Sequence, residues 1–307
     1  MLAYHPIIRH TYFMPELPEV ETVKRGLSRL IIGKKIADVS FDWPKSFPNA
    51  SGDVENFLVG AQIKSVARRG KALKIDLSTG YTVVIHLKMT GQLIHVDSKQ
   101  RFGAGHPSDS LVAKLPDKST RVTFSFVGGS KLYFNDQRKF GWVRLIPTIE
   151  VDEIDFFKKI GPEPLSKALT EQEFIKRLDR RKNTSIKAAL LDQTVIAGIG
   201  NIYADEALWG SKIHPASLVK NISAARKKLL LKSIRQVLRL AIKSGGSTDR
   251  NYRDAEGKMG SYLTFAKVFR REGQACPRCH GEIVKTRVAG RGTHLCINCQ
   301  RPDTAAK

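Results

Sequence analysis

Between positions 17 and 30 the apolar residues Val20, Val23, Leu27 and Leu30 recur at helical spacing, while Glu16, Glu19 and Glu21 crowd the start of the run. The spacing predicts a helix whose positive dipole end is dressed with carboxylates. After it the period shortens. KKIADVSF, QIKSVARR, KALKIDL, YTVVIHL, RVTFSFV and KLYF are rich in β-branched residues, some alternate, and several are separated by Gly or Ser turns. They predict strands of a β-sandwich or barrel. Val96 to Lys118, rich in Gly, Pro, Ser and Lys, is predicted as a long surface loop between strands. Past about Pro147 the helical period returns in EQEFIKRL, TSIKAALLD, the segment opened by GIGNIYADEALW, and a long run from Ile222 to Ser244 closed by Gly245 and Gly246. Gly245 to Ser261 has little periodicity and reads as a loop.

These patterns divide the 307 residues into an α+β protein. Residues 14–147 are expected to form an N-terminal helix and β-sandwich, and residues 148–265 a helical domain. A cysteine-bearing module follows over 266–301, with a short tail at 302–307. The opening MLAYHPIIRHTYF has no continuous apolar core and no small-residue cleavage site, so residues 1–13 read as an appendage rather than a secretion signal. No apolar run approaches the roughly 18 residues of a membrane span.

Charge narrows the class. Lys and Arg total 52 against 29 Asp and Glu, a net +23 spread along the chain, which points to a polyanionic partner. A ribosomal protein or a solvated basic surface would share that balance, and charge alone does not choose among nucleic acids. All four cysteines lie between 276 and 299, which excludes a disulfide framework spanning the fold and favours an intracellular setting. Cys276, Cys279, Cys296 and Cys299 form C-x2-C-x16-C-x2-C, the spacing of a closed structural zinc site. Two local disulfides or redox pairs are the alternative. Between the pairs, Lys285, Arg287 and Arg291 flank the turn AGRG, which reads as a hairpin presenting cations or as a solvated basic loop.

MPELPEVETVKRGL at 14–27, NDQRKFG at 135–141, LLDQTVIAGIGNIYADEALW at 190–209 and the terminal zinc finger together resemble the formamidopyrimidine-DNA glycosylase family, in the same order and over roughly 14–301. The resemblance implies a bifunctional repair enzyme with a helix-two-turn-helix element in the helical domain and double-stranded DNA running between the domains. It would remove 8-oxoguanine and ring-opened purines, then nick the abasic site by β,δ-elimination through a Schiff base, acting as a DNA-associated monomer with one structural zinc. The nucleophile it implies is Pro15, exposed after loss of Met14. An α-amine has a reference pKa near 7.7–8.0 against about 10.4 for Lys, so its free-base fraction at neutral pH is some hundreds of times larger. Glu16 matches the family's acid for the sugar ring oxygen, Lys71 the lysine of the first elimination, and Arg291 the arginine of the second. Read by themselves, Glu16 is a helix-dipole carboxylate and Lys71 a strand-edge cation.

Met89, Arg138 and Phe140 match the family's residues that fill the void left by an extruded nucleotide, though by spacing alone they read as a core Met and Phe beside an exposed Arg. Asn201 and Lys182 match phosphate-contacting positions, with an N-cap role for Asn201 as the structural alternative. Two departures stand out. Thirteen residues precede Met14, and while they remain attached Pro15 is a tertiary amide without a nucleophilic lone pair; the expectation is that the chain truly starts at Met14. Ser119 stands where many relatives carry a DNA-contacting histidine, with Arg121 two residues on. Two rival readings remain, an endonuclease VIII-type enzyme for oxidised pyrimidines and an inert damaged-DNA binder whose Pro15 stays blocked.

Overall fold

In the computed structural model, which describes residues 14–106, 108–247 and 261–303, the first apolar stripe becomes α1 (Leu17–Ile31). Val20, Val23, Leu27 and Ile31 are fully buried along one face of it. Gly26 stands inside this helix for a steric reason, because a Cβ there would lie 2.1 Å from Cζ of Phe102. The missing side chain lets the Phe102 ring lie directly on the helix.

The strands follow as β1 (Ile36–Phe41), β2 (Ile63–Arg69), β3 (Ala72–Leu77), β4 (Tyr81–His86), β5 (Gly91–Val96), β6 (Arg101–Gly105), β7 (Thr120–Phe126), β8 (Lys131–Asp136) and β9 (Trp142–Pro147), with a short α2 (Ser51–Phe57) after β1. They form a five-stranded sheet ordered β1-β7-β8-β5-β6 and a four-stranded sheet ordered β2-β3-β4-β9. Every pairing is antiparallel. Leu93, Val122, Phe124, Leu132 and Phe134 from one sheet meet Val66, Leu73, Ile75, Val83, Ile85 and Val143 from the other, and α1 closes the same core. The predicted sandwich is therefore present. The surface loop expected over Val96 to Lys118 needs correcting, because Arg101–Gly105 pairs with β5 from Val96↔Arg101 to Gln92↔Gly105. Its sequence, RFGAG, hides the strand: one glycine makes room for Leu111 and the other takes φ +120°, so β-branched residues are missing while Phe102 and Ala104 still bury.

Beyond β9 the chain turns helical, with α3 (Asp155–Lys159), α4 (Glu171–Asp179), α5 (Ile186–Leu191), α6 (Asn201–Gly210), α7 (Ala224–Lys243) and α8 (Tyr262–Phe265). Thr170, Ser185 and Ser223 cap α4, α5 and α7 by accepting from the backbone N–H three residues on. α4 to α8 share a second core that also takes in Leu17, so α1 has its first residue in one core and its remainder in the other, while Phe157 of α3 packs instead on Ala72, Val84 and Ile146 of the four-stranded sheet. A hairpin of β10 (Ile283–Val288) and β11 (Arg291–Cys296) ends the described fold. The expected appendage at 1–13 and most of the Gly245 to Ser261 loop lie outside the described residues. No described helix is long and apolar enough to cross a membrane.

Candidate active site and nucleic-acid interface

The two cores meet where α1 and α6 point their N-termini at one another. Gly200 is the N-cap of α6 and has no side chain to offer the first N–H groups. Glu16 supplies the cap from the other domain: its carboxylate accepts from Ile202 N at 2.9 Å and from Tyr203 N at 3.5 Å. A Cβ on residue 200 would sit 2.3 Å from Glu16 Cδ, so only glycine admits the carboxylate. This corrects the N-cap alternative for Asn201, which lies one residue inside the helix. Glu19 completes the joint by accepting from Glu16 N at 3.0 Å, Tyr203 Oη at 2.6 Å and Ser247 N at 2.7 Å.

Lys71 lies in the turn between β2 and β3, and it is buried rather than a strand-edge cation. That turn is clamped from the helical side: Glu163 accepts from Gly70 N at 2.6 Å and pairs with Arg68 at 3.0 Å, and Arg68 also reaches Glu21 at 3.1 Å. Glu16, Lys71, Met89, Asn201 and Arg291 all line one cavity of about 750 Å³, together with His86 and Met14. Pro15 is buried beside it, between Met14 and Glu16. Burial and the neighbouring Glu19 push the Glu16 carboxyl up to about 7, against the opposing pull of Lys71 and the α6 N–H groups. Burial lowers Lys71, and the Arg291 guanidinium lowers it further while Glu16 and Glu19 oppose. The cavity thus holds a carboxyl that is half protonated near neutrality beside an amine that gives up its proton more easily than a free lysine. His86 is held neutral, down at about 3, by burial and the cations Lys88 and Lys71. Its Nδ1 accepts from Lys88 N at 3.0 Å, which leaves the ring proton on Nε2.

Arg291 begins β11, and the hairpin that carries it is tied down from α5 and α6. Lys187 and Asp205, both without solvent exposure, pair at 2.6 Å. Lys187 also donates to Gly292 O at 3.1 Å and Thr293 Oγ1 at 2.7 Å, and Asp205 accepts from His294 N at 2.9 Å. Asn201 Nδ2 donates to the same Gly292 carbonyl at 3.0 Å. Next along α6, Glu206 accepts from the backbone N–H groups of Lys267, Val268 and Phe269 at 2.8–2.9 Å and so fixes the turn that leads from α8 toward the hairpin. At its far end the four cysteine sulfurs all lie within 4.8 Å of one another, with Cys279 and Cys296 at 3.4 Å and Cys276 and Cys299 at 3.9 Å. Four thiolates about 2.3 Å from one tetrahedral zinc would be roughly 3.8 Å apart, so the cluster fits one structural zinc with every coordination position filled by protein.

Three family models match the chain: the formamidopyrimidine-DNA glycosylase N-terminal domain over residues 14–143, its H2TH domain over 160–252, and the zinc finger found in FPG and IleRS over 273–302. The chain belongs to the formamidopyrimidine-DNA glycosylase family. It is 42% identical to the formamidopyrimidine-DNA glycosylase of Desulforamulus reducens over 291 residues, covering 94% of this chain and 99% of that one. The enzyme of the same name from Pelotomaculum thermopropionicum is 40% identical with the same coverage. Among solved structures, a Lactococcus lactis FPG variant in complex with Fapy-dG-containing DNA is similar with a TM-score of 0.82 and 36% identity, covering 94% of this chain and all of that one. MutM in complex with DNA containing carbocyclic 8-oxo-G is similar with a TM-score of 0.81 at the same identity and coverage.

Within this family fold the remaining expected site residues fall on two linked turns and one separate one. Met89 sits half-buried between β4 and β5, and Arg138 and exposed Phe140 sit on the turn after β8, with the Arg138 guanidinium 4.8 Å from the Phe140 ring centre. Asp136 staples both turns: it accepts from Thr90 Oγ1, from Arg138 N at 3.2 Å and from Gly141 N at 2.6 Å. Lys139 takes φ +57° and lays its ammonium 3.8 Å over the Trp43 ring, turning its two neighbours outward. Lys182 is exposed on the turn between α4 and α5 and does not line the cavity. Ser119 and Arg121 are both buried, Ser119 bonded to Asp117 at 2.6 Å and Arg121 to Asp42 at 3.0 Å and Asp136 O at 3.1 Å, so Arg121 ties β7 to the ends of its neighbours β1 and β8.

Sequence reasoning missed Glu163, His86, Lys187, Asp205 and Glu206. The signal available was only indirect: DE sits inside an otherwise apolar helical stretch, where buried carboxylates need donors from elsewhere.

Proposed function

We propose that this protein excises oxidised purines, 8-oxoguanine and formamidopyrimidines, from duplex DNA and then cleaves the abasic strand by β,δ-elimination. The observation that carries the reading is the convergence of Glu16, Lys71 and Arg291, drawn from three separate parts of the chain, on one cavity beside Pro15. In that reading the Pro15 amine bonds to the sugar C1′ while the bond to the base breaks, and the protonated Glu16 carboxyl delivers its proton to the ring oxygen as the ring opens. The resulting iminium acidifies the C2′ proton. Lys71 takes part in its removal, the 3′ phosphate leaves, and Arg291 assists departure of the 5′ phosphate. Met89, Arg138 and Phe140 would fill the gap left by the flipped nucleotide, and Asn201 and Lys182 would hold phosphates. Relatives crystallised with Fapy-dG and 8-oxo-G DNA support a purine lesion over an oxidised pyrimidine. The zinc hairpin would grip the duplex through Arg291 and its neighbouring cations, with the protein acting as a monomer.

Attack requires a free Pro15 amine, whereas in the full chain Pro15 is bonded through its nitrogen to Met14. Borohydride trapping on a duplex with one 8-oxoguanine, comparing protein begun at Met14 with protein retaining residues 1–13, tests the mechanism. Adduct with the shorter form alone supports Pro15. Adduct with both, the extension verified intact, moves the nucleophile to a lysine, and adduct with neither favours an inert damaged-DNA binder.

A further inference from the structure

The longest helix carries a charge pattern that the catalytic cavity does not use. α7 contains seven Lys and Arg residues and no Asp or Glu. Cations in the first turns of a helix oppose its dipole, and each one there is neutralised from another element: Arg226 by Asp303, Lys227 by Asp179 at 2.6 Å, and Lys228 by Glu171 at 3.2 Å. Arg235 is turned inward to the carbonyls of Pro164, Ser166 and Leu169 at 2.6–3.3 Å. The other three are treated differently. Lys232, Arg239 and Lys243 are exposed, and among the described residues no carboxylate lies within ion-pair distance of them.

Their placement is regular. At 3.6 residues per turn, Lys228, Lys232, Arg239 and Lys243 fall within an arc of about 60°, and the last three span about 16 Å along the axis. Lys232 and Arg239 form one wall of a groove of about 290 Å³ whose floor includes Leu231 and whose sides include Arg235 and Gln236. None of these residues lines the catalytic cavity. Arg235 and Arg239, and Arg239 and Lys243, stand four residues apart, a like-charge spacing that weakens a helix. A surface kept at that disadvantage, concave and lined by four cations against one acid, Glu171, which Lys228 already neutralises, complements a row of phosphates.

We propose that the exposed face of α7 is a second duplex-DNA track, contacting about three backbone phosphates of DNA outside the catalytic footprint. Sixteen ångströms of axis covers about five base-pair steps at ~3.4 Å each, so three cations on one side can each meet a phosphate without reading sequence. The proposal rests on the DNA-repair reading above for its choice of partner. It gives the protein a hold on long DNA that a short lesion duplex does not share.

The test compares the parent with the triple variant Lys232→Ala, Arg239→Ala, Lys243→Ala. Binding is measured against salt on lesion duplexes of about 13 and about 60 base pairs; loss of three phosphate contacts should flatten the log–log slope by about 2.7 on the long duplex only. Single-turnover excision on the short duplex stays at the parent rate and shows that the variant is folded. Lys232→Arg with Lys243→Arg keeps the parent slope. An unchanged slope on the long duplex leaves the face merely solvated, and an equal fall on both lengths makes it part of the catalytic footprint; either result overturns the proposal. Retained DNA slopes with lost binding to an acidic protein would also overturn it. Failure of the parent to bind either duplex would instead refute the repair reading itself.

Discussion

Asp205→Asn removes one charge from the most deeply buried ion pair in the described fold and leaves the size of the side chain unchanged. Lys187 and Asp205 have no solvent exposure and pair at 2.6 Å, and between them they hold Gly292, Thr293 and His294 of the hairpin. Breaking a buried pair from one side typically costs about 3–5 kcal/mol, because the remaining ion has lost both water and partner. At about 2–4 °C per kcal/mol for a domain of this size, the helical and zinc region should melt about 6–20 °C lower. The loss should depend on pH with a definite sign. Burial already lowers Lys187, and removing its counter-charge lowers it further, so below the unfolded value the unfolded chain binds a proton that the native variant lacks. Stability of the variant therefore rises with pH as it approaches the unfolded lysine value. Scanning calorimetry at several pH values checks this, and the double variant Lys187→Met, Asp205→Asn should recover part of the loss. A single variant that melts with the parent, or a double variant worse than the single, would refute the view that this pair anchors the hairpin.

Excision by protein with a free Pro15 amine should decline as pH rises through about 7, where Glu16 loses its proton, and Glu16→Gln should remove that limb of the pH–rate profile. The same shift has a stability sign: the native state holds the Glu16 proton between the ordinary carboxylate range and about 7, so this group's contribution falls as pH rises through that window. Gly200→Ala should cut excision severely, since the new Cβ would displace the Glu16 carboxylate from the α6 N-terminus; parent-level turnover with a normal fold would argue against that cap. Gly26→Ala should destabilise by about 1–3 kcal/mol in chemical denaturation despite alanine's better helix propensity, because of the Phe102 contact. Zinc removal should abolish duplex binding while circular dichroism retains the sandwich signal, since the cysteine cluster and its small apolar surround are separate from the sandwich core.

What the sequence by itself determined is what depends on neighbours in the chain. The α1 stripe, most of the alternating strands, the capped helices and the two short cysteine pairs are local patterns, and each is present in the fold. The family motifs also named Glu16, Lys71, Met89, Asn201 and Arg291, which gather at the cavity, because their matches carry long-range information that periodicity lacks. Only the tertiary structure decided what surrounds them. The cap that Glu16 places on α6 joins residues 186 apart, the Glu163 clamp on the Lys71 turn joins residues 93 apart, and Lys187 meets Thr293 across 106. No periodicity registers such pairs, since each partner looks locally like an ordinary surface charge. Burial then gives them their chemistry: the same glutamate that reads as a helix-dipole residue becomes a carboxyl titrating near neutrality only when two domains close over it and remove water.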